Sequence, residues 1–319
     1  METLLNIQDL RVNFYTYRGV VKALNGVSLI INKGESVGLV GETGCGKSVS
    51  ARAIIKLIDF PGRIESGKIY LDGRDLLTLS ESQMKYVRGR QISFIFQEPK
   101  KGLDPTSKIG DQIEEAIRIA RSISKKEARD IVPDILKQVG LADIDRIMKS
   151  YSFELSGGMA QRAMIGMAIC GRPKLIIADE PTSSLDVSVQ AQIIRLLDQL
   201  AEKFDSSLLL ITHDLGLAAE NCEKIAVMYA GNIVEFGPVE KVFNNPTHPY
   251  TRGLLRALPT PESDTLFSIP GMVPDLIFPP PGCRFSTRCE RKGDGCTTEF
   301  PPLVEFDKDH FAACFYPCF

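Results

Sequence analysis

The sequence predicts an α/β fold built on a mainly parallel sheet, followed by a small appendage without a large core of its own. Three observations carry this reading. Short runs of branched apolar residues alternate with stretches of helical spacing from Leu4 to about Gly237. Prolines at 246, 249, 259, 261, 270, 274 and 279–281 then break regular structure. The cysteines, finally, are unevenly placed: Cys283, Cys289, Cys296, Cys314 and Cys318 crowd into the tail, while Cys45, Cys170 and Cys222 lie scattered before it.

Taken in order, residues 37–40, 92–96, 175–178 and 207–211 are short and rich in Val, Ile and Leu, as strands buried on both faces should be. Residues 47–58, 111–121, 125–139 and 187–204 carry apolar side chains at helical spacing. Strands that alternate with helices pair in parallel, because the helix supplies the crossover. The composition shift places a boundary near 240, giving an expected domain 1–240 and an extension 241–319.

Composition narrows the function classes. The 319 residues are 44% apolar and 24% charged, ordinary for a globular chain, and the net charge of −2 gives no global attraction to nucleic acid. Met1-Glu2-Thr3 opens without a basic region or an apolar h-region, and no apolar run approaches the ~20 residues that span a bilayer. The expectation is a cytosolic chain whose membrane work passes through partners. In that compartment, crowded thiols favour a metal or cluster over disulfides.

Gly41-Glu42-Thr43-Gly44-Cys45-Gly46-Lys47-Ser48 fits G-x-x-x-x-G-K-[ST] between an expected strand and an expected helix that continues through Val49. Glycines let backbone N–H groups wrap a phosphate, and the new helix aims its N-terminus at the anion. Lys47 adds a point charge for the β- and γ-phosphates, and the Ser48 hydroxyl is a Mg²⁺ ligand. Further on, Leu175-Ile176-Ile177-Ala178-Asp179-Glu180 is an apolar strand ending in two carboxylates. Asp179 suits Mg²⁺, and Glu180 suits a general base that polarises the attacking water. Either acid alone would read as a solvated strand end; beside a phosphate loop they read as an ATPase.

Leu155-Ser156-Gly157-Gly158-Met159-Ala160-Gln161-Arg162 supplies a second anion site at a helix start, one more than a single subunit needs for one γ-phosphate. It resembles the signature sequence of ABC transporter ATPases. That resemblance implies the ABC fold: a mainly parallel core sheet, an antiparallel N-terminal β region and a helical subdomain carrying the signature. It also implies a head-to-tail dimer in which each signature, here Ser156, Gly157, Gly158 and Gln161, closes on ATP held by the partner. The family's other motifs match in order. Gln97 resembles the Q-loop glutamine that senses Mg²⁺ and the membrane partner, Ser184-Leu185-Asp186 the D-loop, and His213 the switch histidine that contacts the γ-phosphate. Tyr17 lies where the family stacks an aromatic ring on adenine, with Phe14 and Tyr15 as competitors.

The tail resembles one branch of that family. Asn245-Pro246-Thr247-His248-Pro249-Tyr250-Thr251-Arg252-Gly253-Leu254-Leu255, Ile269-Pro270-Gly271 and Gly282-Cys283-Arg284-Phe285 are similar to the C-terminal region of dipeptide, oligopeptide and nickel importer ATPases. Lys100-Lys101 departs from it with a basic pair, either tuning the contact with a membrane partner or simply solvated. Relatives of this branch carry a [4Fe–4S] cluster on four cysteines, which implies Cys283, Cys289, Cys296 and Cys314 as ligands here, with Cys318 spare. The chemistry alone suits zinc as well, or unligated thiols.

The resemblance therefore implies an ATP- and Mg²⁺-dependent importer ATPase at the cytoplasmic face of the membrane. Its expected partners are a second, different ATPase subunit, two permease subunits and, indirectly, a solute-binding protein, with no nucleic acid. The alternative is a non-transport ABC ATPase of assembly, repair or translation. Against it, the span between Lys47 and Ser156 leaves no room for a long coiled coil, and the chain has one cassette.

Overall fold

Alternating apolar patterns turn into the expected elements with small adjustments at their ends. The computed structural model describes residues 2–183, 185–258 and 267–318, and leaves out the side chains of Lys100, Lys101 and Val187. Ser184 of the D-loop motif, Pro259 and Pro261 lie outside the described residues, as do the contacts expected of the Lys100-Lys101 pair. Along the chain run β1 (Thr3–Thr16), β2 (Gly19–Asn32), β3 (Ser36–Val40), α1 (Lys47–Ile54), β4 (Gly62–Leu71), β5 (Arg74–Asp75), α2 (Glu81–Val87) and β6 (Ile92–Ile95). Next come α3 (Pro99–Gly102), α4 (Ile109–Arg121), α5 (Lys125–Gln138), α6 (Ile144–Lys149), α7 (Gly157–Ile169), β7 (Leu175–Asp179), α8 (Val187–Phe204) and β8 (Ser207–Thr212). The chain closes with α9 (Leu215–Asn221), β9 (Lys224–Tyr229), β10 (Asn232–Pro238), α10 (Val239–Asn244), α11 (Pro249–Arg256), β11 (Val304–Asp307) and β12 (His310–Ala312). The helix expected over 47–58 stops at Ile54, because Lys56 takes a left-handed conformation (φ 52°) and turns the chain.

Two compact units form. The first comprises 1–2, 32–35 and 78–211. Its centre is three parallel strands in the order β6-β7-β8, with Ile177 opposite Phe94 on one side and Leu209 on the other. β7 and β8 are buried along their whole length, as strands covered on both faces must be. α7 packs against β6, and α3, α4, α5 and α8 pack against α7. Serine caps with reciprocal acceptors start two helices of this unit: Ser80 with Gln83 on α2, and Ser124 with Glu127 on α5.

The second unit comprises 3–31, 36–77 and 212–319. One antiparallel sheet runs β2-β1-β4-β5. A second set of strands starts with β3 parallel to β9 and continues antiparallel through β10, β12 and β11. The tail thus contributes strands to the sheet that holds the phosphate-loop strand. It also contributes to the core: Tyr250 and Phe285 pack in one cluster with Val40, Val227, Tyr229 and Val234. Glu235, fully buried on β10, fixes the junction. Its carboxylate accepts N–H bonds from Thr247 and His248, both at 2.8 Å, and pairs with His310 Nε2 at 2.8 Å. No described helix is long and apolar enough to cross a membrane.

Candidate functional site

The second unit builds the phosphate loop. β3 ends at Val40, and the chain turns through Gly41 (φ 154°) and Gly46 (φ 112°) before α1 begins at Lys47. A Cβ on Gly41 would stand 2.1 Å from the Met228 carbonyl oxygen, so the loop cannot be laid against β9 with any other residue there. Gly46 caps α1 without a side-chain bond, which leaves the helix's first N–H groups facing the loop. Lys47 is buried, and its Nζ donates to the carbonyls of Gly41 (2.7 Å) and Glu42 (3.2 Å). Ser48 and Val49 lie in the first turn of α1, half-buried, while Thr43 and Gly44 are exposed at the loop's tip. Burial pushes the Cys45 thiol up to about 11 despite the pull of Lys47, which keeps it a neutral packing residue.

Two groups hold this loop from the tail, and neither is legible in the loop motif itself. The Glu42 N–H donates to the Tyr250 hydroxyl at 3.1 Å. The Glu42 carboxylate receives both ends of the Arg288 guanidinium, Nη1 at 2.8 Å and Nη2 at 3.1 Å. Arg288 also donates to the carbonyls of Pro270 (2.9 Å) and Ile269 (3.1 Å), and its side chain is 4% exposed. Burial works against the guanidinium's charge, but the bonds to Glu42 and Tyr229 outweigh it and hold its pKa above the usual value. The signal that could have found Tyr250 was its place in the His-Pro-Tyr motif; Arg288 was visible only as the residue before Cys289.

Elsewhere in this unit, His213 is exposed just after β8, followed by Asp214, which caps α9. Tyr17 is 92% exposed, with the Arg18 guanidinium 5.5 Å from its ring centroid; Tyr15 is 44% exposed with its hydroxyl on Glu65, and Phe14 is half-buried.

The first unit brings together Gln97 and Glu180: Gln97 Nε2 donates to Glu180 Oε2 at 3.1 Å. Asp179 is the last residue of β7 and is buried. Glu180 follows with φ 45°, a left-handed conformation that costs a side-chain-bearing residue about 1–3 kcal/mol and is found where geometry serves function. Ser156 caps α7, its Oγ accepting the Met159 N–H at 3.3 Å, and Gly157 and Gly158 open the helix. Gln161 is buried on α7 with neither of its side-chain polar atoms hydrogen-bonded. Asp186 caps α8, accepting from Val189 N and Ser188 Oγ; the Ser188 bond, then the Val189 bond, hold its pKa below the usual carboxylate range.

The tail thiols converge without bonding. All are free, and Cys283, Cys289, Cys296 and Cys314 line one small cavity with Phe285, Phe315 and Pro301. Burial pushes Cys283 up to about 11 and Cys314 up to about 12, and it raises Cys289; neighbouring sulfurs add to each. Cys318 is buried outside that cavity, its N–H bonded to the Thr247 carbonyl at 2.8 Å. Among the described residues no group of three or more His, Cys, Asp or Glu side chains is arranged to hold a metal ion. The four thiols share a cavity but are not arranged as a metal site; holding a thiolate-bound group would need them to draw together and release their protons.

Comparison with known proteins agrees with this geometry. A family profile described as ABC transporter matches residues 24–183, and one described as the C-terminal region of oligopeptide/dipeptide transporters matches 234–296. The oligopeptide transport ATP-binding protein OppD of Bacillus subtilis (strain 168) is 45% identical over 312 residues, 97% of this chain and 87% of that one. The dipeptide transport ATP-binding protein DppD of Escherichia coli (strain K12) is 45% identical over 316 residues, 98% of this chain and 97% of that one. An ATP-binding cassette solved as a post-hydrolysis dimer with ADP and Pi superposes with a TM-score of 0.65 at 26% identity, covering 74% of this chain and 99% of its own. With the phosphate loop, the capped signature helix and the paired Gln97 and Glu180 in one chain, and with both profiles matched, the protein belongs to the family of oligopeptide/dipeptide ABC transporter ATP-binding proteins.

Proposed function

We propose that this chain is the ATP-hydrolysing subunit of an importer for dipeptides or oligopeptides, working at the cytoplasmic face of a membrane with two permease subunits and a second, different ATPase subunit. The observation that carries the reading is full-length likeness to peptide-transport ATPases together with an intact set of hydrolysis residues. In this reading 1–240 is the ATPase domain and 241–319 its extension.

Each residue has a role set by its chemistry. The loop from Gly41 to Val49 binds the triphosphate through backbone N–H groups, with Lys47 as the fixed cation. Tyr17 stacks on adenine, since its ring is the most exposed of the three aromatic candidates. Mg²⁺, held by Ser48, Gln97 and Asp179, would neutralise phosphate charge. Glu180 accepts the proton of the attacking water, and the Gln97 amide that donates to its carboxylate keeps that base oriented. His213 serves as the γ-phosphate contact. Ser156, Gly157, Gly158 and Gln161 of one subunit and Asp186 act across the ATPase dimer, where the capped start of α7 offers N–H groups to the partner's nucleotide.

Replacing Glu180 by Gln tests the assignment. ATP binding should persist while turnover falls by about a hundredfold or more, measured as phosphate release; undiminished turnover sinks Glu180 as the base.

The four tail thiols hold a [4Fe–4S] cluster in this proposal, with zinc as the competing occupant. Such a group would staple a stretch with little regular structure. Protein purified without air should contain about four irons per chain and absorb broadly near 400 nm. One zinc and no colour would make the tail a zinc-stapled extension, and neither metal would remove the staple from the account.

A further inference from the structure

The Glu42–Arg288 pair joins two parts of the chain that the function treats separately, the phosphate loop and the cysteine tail. Glu42 is the second residue of the loop, and its carboxylate brings a negative charge next to the place where a triphosphate binds. A bare carboxylate there opposes the nucleotide. Arg288 removes that opposition: it is bidentate on Glu42, its side chain is 4% exposed, and its remaining donors are spent on the carbonyls of Pro270 and Ile269 and on the Tyr229 hydroxyl. The backbone on which it rides is locked by successive turns, Ser286 N–H to Cys283 O and Arg288 N–H to Phe285 O, both at 2.9 Å. Tyr250 completes the grip, accepting the Glu42 N–H. The loop conformation at residue 42 is thus set on both its backbone and its side chain by groups from beyond residue 249.

We propose that Arg288 is a positioning residue for ATP binding: by neutralising and orienting Glu42 it lets the phosphate loop accept the triphosphate, so nucleotide affinity depends on the tail. The proposal rests on the assignment of 41–48 as the nucleotide site, and it holds whether the tail thiols carry iron, zinc or protons. The guanidinium acts through Glu42 and does not touch the substrate. Removing it leaves an unpaired carboxylate at the loop, and removing both charges relieves the conflict, because a lost partner costs more than a lost pair.

The experiment is a rescue cycle on the full chain, titrating Mg²⁺ and the non-hydrolysable analogue AMP-PNP by calorimetry, with the thermal midpoint of each unliganded variant measured alongside. Arg288→Ala should weaken binding about tenfold. The double variant Arg288→Ala with Glu42→Gln should return to within about threefold of Glu42→Gln alone. Arg288→Lys, which keeps the charge but loses the fork, should fall between wild type and Arg288→Ala, and carries the test if the alanine variant does not fold. A double variant as weak as Arg288→Ala overturns the proposal, because Arg288 would then act only through its bonds to Pro270, Ile269 and Tyr229. Unchanged affinity in Arg288→Ala or Arg288→Lys overturns it too. Failure of the wild-type chain to bind AMP-PNP would instead strike at the nucleotide site itself.

Discussion

Asp179 reaches its place at the end of β7, a strand in which every residue is buried, whereas Arg288 and Cys289 reach theirs through turns, with regular strands only later in the tail. The first arrangement is held by apolar packing from both sides. In the second, the packing of Tyr250 and Phe285 is joined by single polar bonds: Arg284 Nη1 to the carbonyls of Lys22 and Ala230, Arg288 to Glu42, and Glu235 to Thr247, His248 and His310. The difference teaches where each region is fragile. A packed strand loses free energy in proportion to the volume removed, while a polar knot fails when one member changes its charge.

The largest effect should come from the packed side. Ile177 is fully buried in the middle of β7, so Ile177→Ala should cost about 2–5 kcal/mol by cavity formation, read from denaturant unfolding. A loss below about 1 kcal/mol would break the contrast, because β7 would then owe its place to something other than packing.

A smaller effect should come from the knot, and it should depend on pH. Burial depresses the His248 pKa from 6.5 to about 4, with Glu235 opposing the shift. Below pH 6.5 the unfolded chain takes a proton on His248 that the folded chain refuses until about pH 4. The unfolded state therefore binds more protons in that window, and stability falls as the pH falls through it, by up to about 3 kcal/mol. His248 caps α11, its Nδ1 accepting the Tyr250 N–H, and Asn can serve the same cap. His248→Asn should flatten the decline in thermal midpoint between pH 6.5 and 4. An equally steep decline in the variant would assign the acid sensitivity elsewhere.

The same contrast explains what could be read in advance. The strands at 37–40, 175–178 and 207–211 were legible because burial on both faces demands continuous apolar runs, and the structure extends each by only a residue. The turn into α1 at Lys47, the start of α7 after Ser156 and the end of β7 at Asp179 were legible because glycine-rich and carboxylate motifs stand at fixed spacing beside apolar runs. The far end of α1 was not, since Lys56 in a left-handed turn leaves no mark on apolar spacing. Nor were the partners of Glu42 or the burial of Glu235, because a bond between residues far apart in sequence has no local period. The tail motif did hold a clue: its His-Pro-Tyr step carries His248 and Tyr250.

The phosphate loop is synthesised long before its last supports. Glu42 precedes Tyr250 by 208 residues and Arg288 by 246. A growing chain therefore carries a complete phosphate-loop motif long before it has the groups that set residue 42. By this timetable the nascent protein cannot bring its nucleotide site to its final form until the tail has been made and folded back onto β10.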